Sequence, residues 1–173
     1  MAGSEAEKLP RTLVGIAGEY LVAGELSRRG YLAAVTLRNT KGVDILASSG
    51  DASKSVGIQV KTVQSKQRVW PLSEKADTYT KANVCYVFVN LNNGDAPTYH
   101  VVPSAIVAKF SRKWHRHFLS TNGRNGRPHK DNSRRAFKDT KRVFRDRWDL
   151  LGLDGKPRPL PKLEAPWKTQ RRT

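Results

Sequence analysis

The feature of this sequence that most constrains its fold is one amphipathic helical segment followed directly by three short apolar segments. Apolar residues recur every three or four positions over residues 12–29, which predicts a helix that ends at Gly30. The segments YLAAVTLR, GVDILAS and SVGIQVKTV follow, each rich in β-branched or apolar residues and bounded by turn residues. They predict three consecutive strands, paired as hairpins.

The rest of the chain alternates further strand and helix patterns with polar segments. VCYVFVNL predicts a fourth strand, PTYHVV a fifth strand, and SAIVAKFSRKWHRHF a second helix. The polar residues 64–83 predict a loop with a short helix, and the apolar spacing over residues 133–151 predicts a third helix. We therefore expect a flexible segment over residues 1–11, one domain over residues 12–151 with a basic helical region over 104–151, and a proline-rich basic tail over 152–173.

Three glycines, Gly15, Gly18 and Gly24, interrupt the first predicted helix. Glycine is unfavourable in a helix interior relative to alanine. We therefore expect another part of the chain to pack closely against this helix.

The charge of the chain lies mostly in its second half. The 173 residues carry a formal net charge of +17. Residues 1–100 hold 12 basic and 9 acidic side chains, whereas residues 101–173 hold 20 basic and 6 acidic ones. Such an excess indicates a polyanionic partner, nucleic acid first and an anionic membrane second.

Three features exclude secreted, membrane-spanning and disulfide-framed proteins from this interpretation. No continuous apolar run approaches the roughly 18 residues of a membrane span, and the N-terminal segment MAGSEAEKLP lacks the apolar region of a signal peptide. Cys85 is the single cysteine, so no internal disulfide forms. These features predict a cytoplasmic, nucleoid-associated protein with no membrane partner.

Charged residues within the predicted strands are the strongest functional signal. Asp44 lies between Val43 and Ile45, and burying its carboxylate alone would cost several kcal/mol unless it is paired or bound to metal. In the next strand, Gln59 and Lys61 are two residues apart and therefore project from the same face.

The first helix offers two further carboxylates, which the helical wheel separates. At about 100° per residue, Glu19 falls within the apolar arc formed by Ile16, Val22 and Leu26. Glu25 falls on the solvated arc beside Arg29, where we expect it to form surface ion pairs.

Glu19, Asp44 and the Gln59 amide oxygen together form a donor set of the kind that binds Mg²⁺ or Mn²⁺. Such an ion polarises a phosphate oxygen and lowers the pKa of a bound water. A nearby lysine such as Lys61 offsets charge on the reacting phosphate. The pattern indicates metal-dependent phosphodiester hydrolysis. The alternative that spacing leaves open is a buried Asp44–Lys61 ion pair that only bridges two strands.

This arrangement resembles the PD-(D/E)XK nuclease superfamily. The resemblance rests on GIAGEYLVAGELSRRGYLAAVTLRNTKGVDILA followed by GIQVKT, over roughly residues 12–65. It is closest to archaeal Holliday-junction resolvases and to homing endonucleases with a Gln-x-Lys motif. It implies an α/β, restriction-endonuclease-like core, in which helices flank a mixed β-sheet in α-β-β-β-α-β order, here with a basic C-terminal helical extension.

The resemblance also implies DNA cleavage with Mg²⁺, or Mn²⁺, as cofactor. Glu19, Asp44 and Gln59 would then be metal-site residues, and Lys61 would be the catalytic lysine. Two positions depart from the superfamily pattern. Gly-Val precedes Asp44 where proline is common, and Gln59 replaces the usual acid, which removes one negative charge.

Candidate nucleic-acid contacts are the basic and aromatic residues that follow the QVK segment or lie in the basic second half of the chain. They are Lys66, Arg68, Trp70, Arg112, Lys113, Arg124, Arg127, Lys130, Arg134 and Arg135. We expect residues 124–135 to form a flexible arm along a nucleic-acid groove, and Trp70 to stack on bases.

The sequence thus predicts a Mg²⁺-dependent endonuclease that acts on double-stranded or branched DNA. Because cutting both strands of a duplex usually requires two active sites, we expect a homodimer. Two alternatives remain open at this point. One is a catalytically inactive DNA-binding protein with the nuclease fold, and the other is an RNA-binding or architectural protein.

Overall fold

The elements of the fold follow the predicted succession of one helix and three strands. A computed structural model describes residues 7–37, 42–123, 125–156 and 159–161, so the predicted flexible start and tail lie largely outside the described residues. The helices and strands are α1 (Arg11–Arg28), β1 (Leu32–Val35), β2 (Ile45–Ser48), β3 (Ser55–Val63), β4 (Val69–Ser73), β5 (Val84–Asn90), β6 (Thr98–Pro103), α2 (Ser104–Leu119) and β7 (Arg134–Lys138). Short 3₁₀ helices lie at Glu74–Asp77, Asn92–Gly94 and Trp148–Leu151. Neither α1 nor α2, the helices of this described part, has the length and apolar character needed to cross a membrane.

Two sheets organise the chain. The main sheet has the strand order β1-β2-β3-β5-β6, in which β3 and β5 are parallel and the other neighbours are antiparallel. Strands β4 and β7 form a separate antiparallel pair. Helices flank this mixed sheet, as predicted, and the chain has the restriction-endonuclease-like fold.

One core lies between α1 and the main sheet. Val22 and Leu26 of α1 are fully buried against Ile58 and Val60 of β3. The closest approach is at Gly18, because a β-carbon built there would collide with the side chain of Thr62 on β3. The expectation of a close contact at the helix glycines is therefore confirmed at Gly18, and Gly15 and Gly24 have open space beside them.

A second, aromatic core lies on the other face of the sheet. Trp70 of β4 and Phe137 of β7 pack onto Phe88 of β5, and the Phe88 and Phe137 rings stack with centroids 4.5 Å apart. Phe110 of α2 also contacts Phe137. The two-stranded sheet and α2 therefore cover the face that α1 leaves open.

The predicted helix over residues 133–151 is wrong, and so is a loop at residues 69–73. These segments contain β7 and β4, which pair with each other through Trp70 and Phe137, and this long-range pairing overrides local helix propensity. Arg142 and Asp146 also have left-handed backbone angles, with φ of 57° and 53°, which a continuous helix does not allow. The basic helical extension therefore consists of α2, and a strand and a short 3₁₀ helix follow it.

The close approach of α1 to β3 predicts a position-specific effect on stability. Gly18→Ala would place a methyl group 2.9 Å from the Cβ of Thr62, which cannot be relieved by rotating the Thr62 side chain. We expect overpacking to lower the free energy of unfolding by about 1–3 kcal/mol, measured by urea denaturation.

The matched control is Gly24→Ala on the same helix, where no atom of the described residues, apart from the helix backbone and the two chain neighbours, lies within 4 Å of an added β-carbon. Alanine should raise the free energy of unfolding there by about 0.5–1 kcal/mol. Equal effects of the two substitutions would show that helix propensity, and not the contact with Thr62, decides the outcome.

Candidate active site

The sequence predicts that Asp44 lies inside a strand. In the structure it is the residue immediately before β2. Its N–H donates to the carbonyl of Ile58 at 2.8 Å, and its carbonyl accepts the N–H of Thr36 at 2.9 Å. Strand β2 starts at Ile45, which pairs with Ile58 of β3, so the pairing between these two strands does not reach Val60 of β3. The Asp44 Oδ2 atom instead accepts the Val60 N–H at 2.7 Å. This bond explains how a half-buried carboxylate fits between two apolar residues.

Gln59 and Lys61 project from β3 on the face opposite α1, because their neighbours Ile58 and Val60 face the helix. Both side chains are half-buried and line a cavity of about 390 Å³. The prediction that they share a face is confirmed.

Two tyrosines complete this cavity. Tyr79 donates a hydrogen bond from its hydroxyl to the Gly42 carbonyl at 3.0 Å, and Tyr86 pairs with Gln59 in the register of β3 and β5. Burial, with the Tyr79 and Asp44 charges next, raises the pKa of Tyr86 to about 12. Burial and then the Asp44 charge raise the pKa of Tyr79. Both phenols are therefore neutral near pH 7, and the negative charge of Asp44 contributes to the raised pKa of each.

Glu19 and Asp44 line an adjacent cavity of about 300 Å³, on the α1 side. Arg11 and Thr36 also line it. The ion pairs expected for Glu25 are confirmed, with Arg28 at 3.0 Å and Arg29 at 3.2 Å. The solvated arc expected for it is wrong, because the buried stripe of α1 runs through Val14, Gly18, Val22 and Leu26, and the Glu25 side chain is 21% exposed. Glu19 is also half-buried and lines this cavity. The structure thus joins the four sequence candidates in two pairs, Glu19 with Asp44 and Gln59 with Lys61.

Asp44 lines the cavity that it shares with Glu19, and its charge contributes to the raised pKa of Tyr79 and Tyr86, which line the cavity of Gln59 and Lys61. Among the residues that the structure describes, Asp44 and Lys61 form no ion pair. The alternative of a purely structural Asp44–Lys61 bridge is therefore contradicted. The Asp44 carboxylate is held by a backbone N–H and not by the lysine.

The donor set fits a magnesium ion better than a metal that needs many protein ligands. The described residues contain no group of three or more histidine, cysteine or acidic side chains, so a site closed entirely by such groups is not formed there. Mg²⁺ is bound through one or two carboxylates, and waters and substrate phosphates complete its coordination. Glu19 and Asp44 supply these two carboxylates in one cavity.

The structure contradicts two of the predicted nucleic-acid contacts. The Trp70 side chain is fully buried and donates from Nε1 to the carbonyl of Val89 at 3.0 Å, so it cannot stack on a base. Arg135 is also buried, and its Nε contacts the Asp77 carboxylate at 2.8 Å. Both residues belong to the β4–β7 sheet, and this long-range pairing buries side chains that sequence alone places in polar loops.

The other basic candidates remain at the surface wherever the structure describes them. Lys113, Arg127, Lys130 and Arg134 are exposed, and Arg68 is half-buried. Exposed Arg112 donates to the carbonyl of Asp77, and Lys66 forms an ion pair with Asp95 at 2.7 Å. Arg124 lies outside the described residues.

The segment predicted as a flexible arm is attached to α2. His115 Nε2 lies 2.8 Å from a carboxylate oxygen of Asp131, which lowers the pKa of Asp131. The ring of His129 stacks on Phe118 with centroids 3.9 Å apart. The described part of the segment is therefore held against the helix.

Sequence reasoning missed Tyr79, Tyr86 and Arg11 as neighbours of the site. Tyr79 lies in a polar stretch with no periodic signal. Tyr86 has a signal in the two-residue alternation of β5, but only the parallel register with β3 places it beside Gln59.

Comparison of the whole chain with solved structures supports the same fold. The chain is similar to a bacterial homing endonuclease, I-Ssp6803I, with a TM-score of 0.52 and 12% sequence identity, over 86% of this chain and 94% of that chain. Hjc, a Holliday junction resolvase from the archaeal hyperthermophile Archaeoglobus fulgidus, gives a TM-score of 0.48 and 15% identity over 80% of this chain and 95% of that chain. Neither a protein-family model nor a curated protein matches the sequence. The structural likeness shows the restriction-endonuclease-like fold.

Neighbouring arginines on β7 give a matched test of structural and surface roles. Arg135→Ala leaves Asp77 without its ion-pair partner in a mostly buried position, where the two side chains are 8% and 17% exposed. Removing one partner of a buried pair should destabilise the protein by about 3–5 kcal/mol, measured by chemical denaturation.

Arg134→Ala, one residue earlier, removes an exposed side chain and should change the free energy of unfolding by less than about 0.5 kcal/mol. If Arg135→Ala were as stable as Arg134→Ala, the Arg135–Asp77 pair would not hold β7 to the rest of the fold.

Proposed function

We propose that this protein is a metal-dependent endodeoxyribonuclease that hydrolyses phosphodiester bonds. The observation that carries the proposal is the Asp44 carboxylate, which is held by the Val60 N–H, shares a cavity with Glu19, and acts by its charge on the tyrosines of the cavity of Gln59 and Lys61. The likeness of the fold to an endonuclease supports the same class of reaction.

The chain's own groups have separate tasks in this proposal. Glu19 and Asp44 would hold Mg²⁺ or Mn²⁺ in the cavity that they share, and Gln59 would offer an uncharged oxygen from the adjacent cavity of Lys61. A bound divalent ion polarises the phosphate and lowers the pKa of a bound water. The Lys61 ammonium would stabilise the negative charge that develops on the phosphate oxygens. The hydrogen bond from Val60 would keep the Asp44 carboxylate in place during this reaction.

DNA is the substrate that best fits the charge around the cavity of Gln59 and Lys61. Lys75 lines this cavity, and Arg134 pairs in register with Ser73, another lining residue. The exposed cations Lys113, Arg127 and Lys130 belong to the same basic half of the chain. Phosphate contacts by such residues supply most of the affinity for DNA.

The assembly and location follow from this substrate. Double-stranded or branched DNA would be cut on both strands by a homodimer, with one active site in each subunit. A cytoplasmic, nucleoid-associated location fits a chain whose one cysteine, Cys85, is buried with its pKa raised to about 12 by that burial. Its thiol would therefore stay protonated and unreactive.

One observation favours a second candidate, a DNA-binding protein that keeps the fold without hydrolysis. Gln59 stands where related nucleases carry an acid, so the described site contains two carboxylates and not three. Gln59→Glu separates the two candidates, because it should create cleavage in an inactive protein.

Cleavage assays test the proposed hydrolysis directly. Linear, supercoiled and four-way-junction DNA would be incubated with Mg²⁺, Mn²⁺ or EDTA, and we expect cleavage only with metal.

Lys61→Ala should lose at least about 100-fold in rate, the scale of one transition-state contact. Lys61→Arg should not restore the full rate, because a planar guanidinium does not replace a compact ammonium.

Asp44→Asn should abolish cleavage and leave DNA binding intact, because asparagine retains an oxygen that can accept the Val60 N–H.

Lys54→Ala is the matched control, since Lys54 is exposed and lies before β3, at the opposite end of the strand from Lys61. It should cleave at the wild-type rate. Cleavage by Asp44→Asn at the wild-type rate, or cleavage in EDTA, would contradict the proposed site.

A further inference from the structure

A third cavity, of about 230 Å³, lies at the start of β4, away from the candidate catalytic residues. Four cationic side chains line it, and Asp95 is the one acidic side chain among its lining residues. These cations are Lys66, Arg68, Arg142 and Arg145. Lys66 and Arg68 precede β4, whereas Arg142 and Arg145 follow β7, so the cavity joins segments far apart in the sequence.

A buried histidine–aspartate pair fixes the loop that carries two of these arginines. His100 Nδ1 lies 2.7 Å from Asp139 Oδ2, and both side chains are 2% exposed. The Asp139 carboxylate also accepts the N–H groups of Val143 at 3.0 Å and Phe144 at 2.9 Å. His100 itself lines the cavity, so the buried pair forms part of its wall. The arginine positions are therefore set by buried contacts before any ligand binds.

Within the part of the chain that the structure describes, two of the four cations have no acidic partner. Lys66 pairs with Asp95, and Arg145 pairs with Asp146 at 3.4 Å. Arg68 and Arg142 form no ion pair with any residue that the structure describes. Arg142 also keeps a left-handed backbone, φ 57°, where glycine would fit without steric conflict. Local folding does not favour an arginine at this position, which suggests that its side chain serves binding.

We propose that this cavity binds a phosphate group of the DNA backbone, at a distance from the bond that is cut. This inference rests on the proposed function for the identity of the ligand as DNA. The cavity lies at the start of β4, and the last residues of that strand line the cavity of Gln59 and Lys61. Five strand residues span about 17 Å, which equals about five nucleotides along one strand of B-DNA. The arginines would anchor the DNA there by charge-assisted hydrogen bonds.

The test uses a variant that removes both unpaired arginines, Arg68→Ala with Arg142→Gly. Glycine accepts the left-handed backbone, so the thermal midpoint should not fall through the change at residue 142. Binding of a fluorescently labelled DNA duplex would be measured in EDTA at increasing KCl, so that no strand is cut. Loss of this one phosphate contact should flatten the plot of log K against log salt by about 0.9 units.

A second arm uses inorganic phosphate, compared with KCl at equal ionic strength. Phosphate should raise the thermal midpoint of the wild type and not that of the double variant. Lys54→Ala is the control in both arms and should behave like the wild type.

The outcomes separate this inference from the proposed hydrolysis. An unchanged salt slope in the double variant would overturn the DNA anchor, and if the midpoint shift with phosphate were still lost, the cavity would take free phosphate instead. A flattened slope in a protein that cuts no DNA would keep the anchor and refute the hydrolysis. DNA cleavage by the wild type, together with an unchanged salt slope in the double variant, would support the hydrolysis and refute the anchor.

Discussion

The hydrogen bond from the Val60 N–H to the Asp44 carboxylate is the interaction on which the candidate site depends. Because β2 begins one residue after Asp44, the side chain supplies the acceptor that the strand does not provide. The carboxylate is thereby fixed at the start of β2, in one cavity with Glu19, and its charge acts on the tyrosines that line the cavity of Lys61. A single backbone contact thus connects the end of a strand with the proposed chemistry.

The small β4–β7 sheet has a second organising role. Trp70 and Phe137 seal the aromatic core, and Arg135 joins the sheet to Asp77 beside α2. The two ends of β4 lie at two different cavities, one with Lys61 and one with Arg68. The excess of positive charge is therefore divided, with some cations built into the fold and others left at the surface for phosphate.

Local sequence patterns predicted the part of the fold that local interactions determine. The two-residue period of β3 placed Gln59 and Lys61 on one face, as the structure has them. The helical period predicted α1 but assigned Glu25 to a solvated arc, whereas the structure half-buries it beside the buried stripe of the helix. The β4–β7 pair was not predictable, because Trp70 and Phe137 are 67 residues apart and Pro71 resembles a loop residue. Proline is tolerated at the edge of a sheet, so it did not exclude a strand there. The burial of Arg135 depends on the same distant pairing.

The central claim is that the two cavities beside Asp44 act as one active site, and a double-mutant cycle of the DNA cleavage rate tests it most directly. The rates of Glu19→Gln, Lys61→Ala and the double variant would be compared with the wild type in Mg²⁺. Residues that act as a unit are strongly non-additive. We predict that the double variant cleaves no more slowly than the slower single variant. Fold losses that multiply, or a wild type that cleaves no DNA, would contradict a shared site.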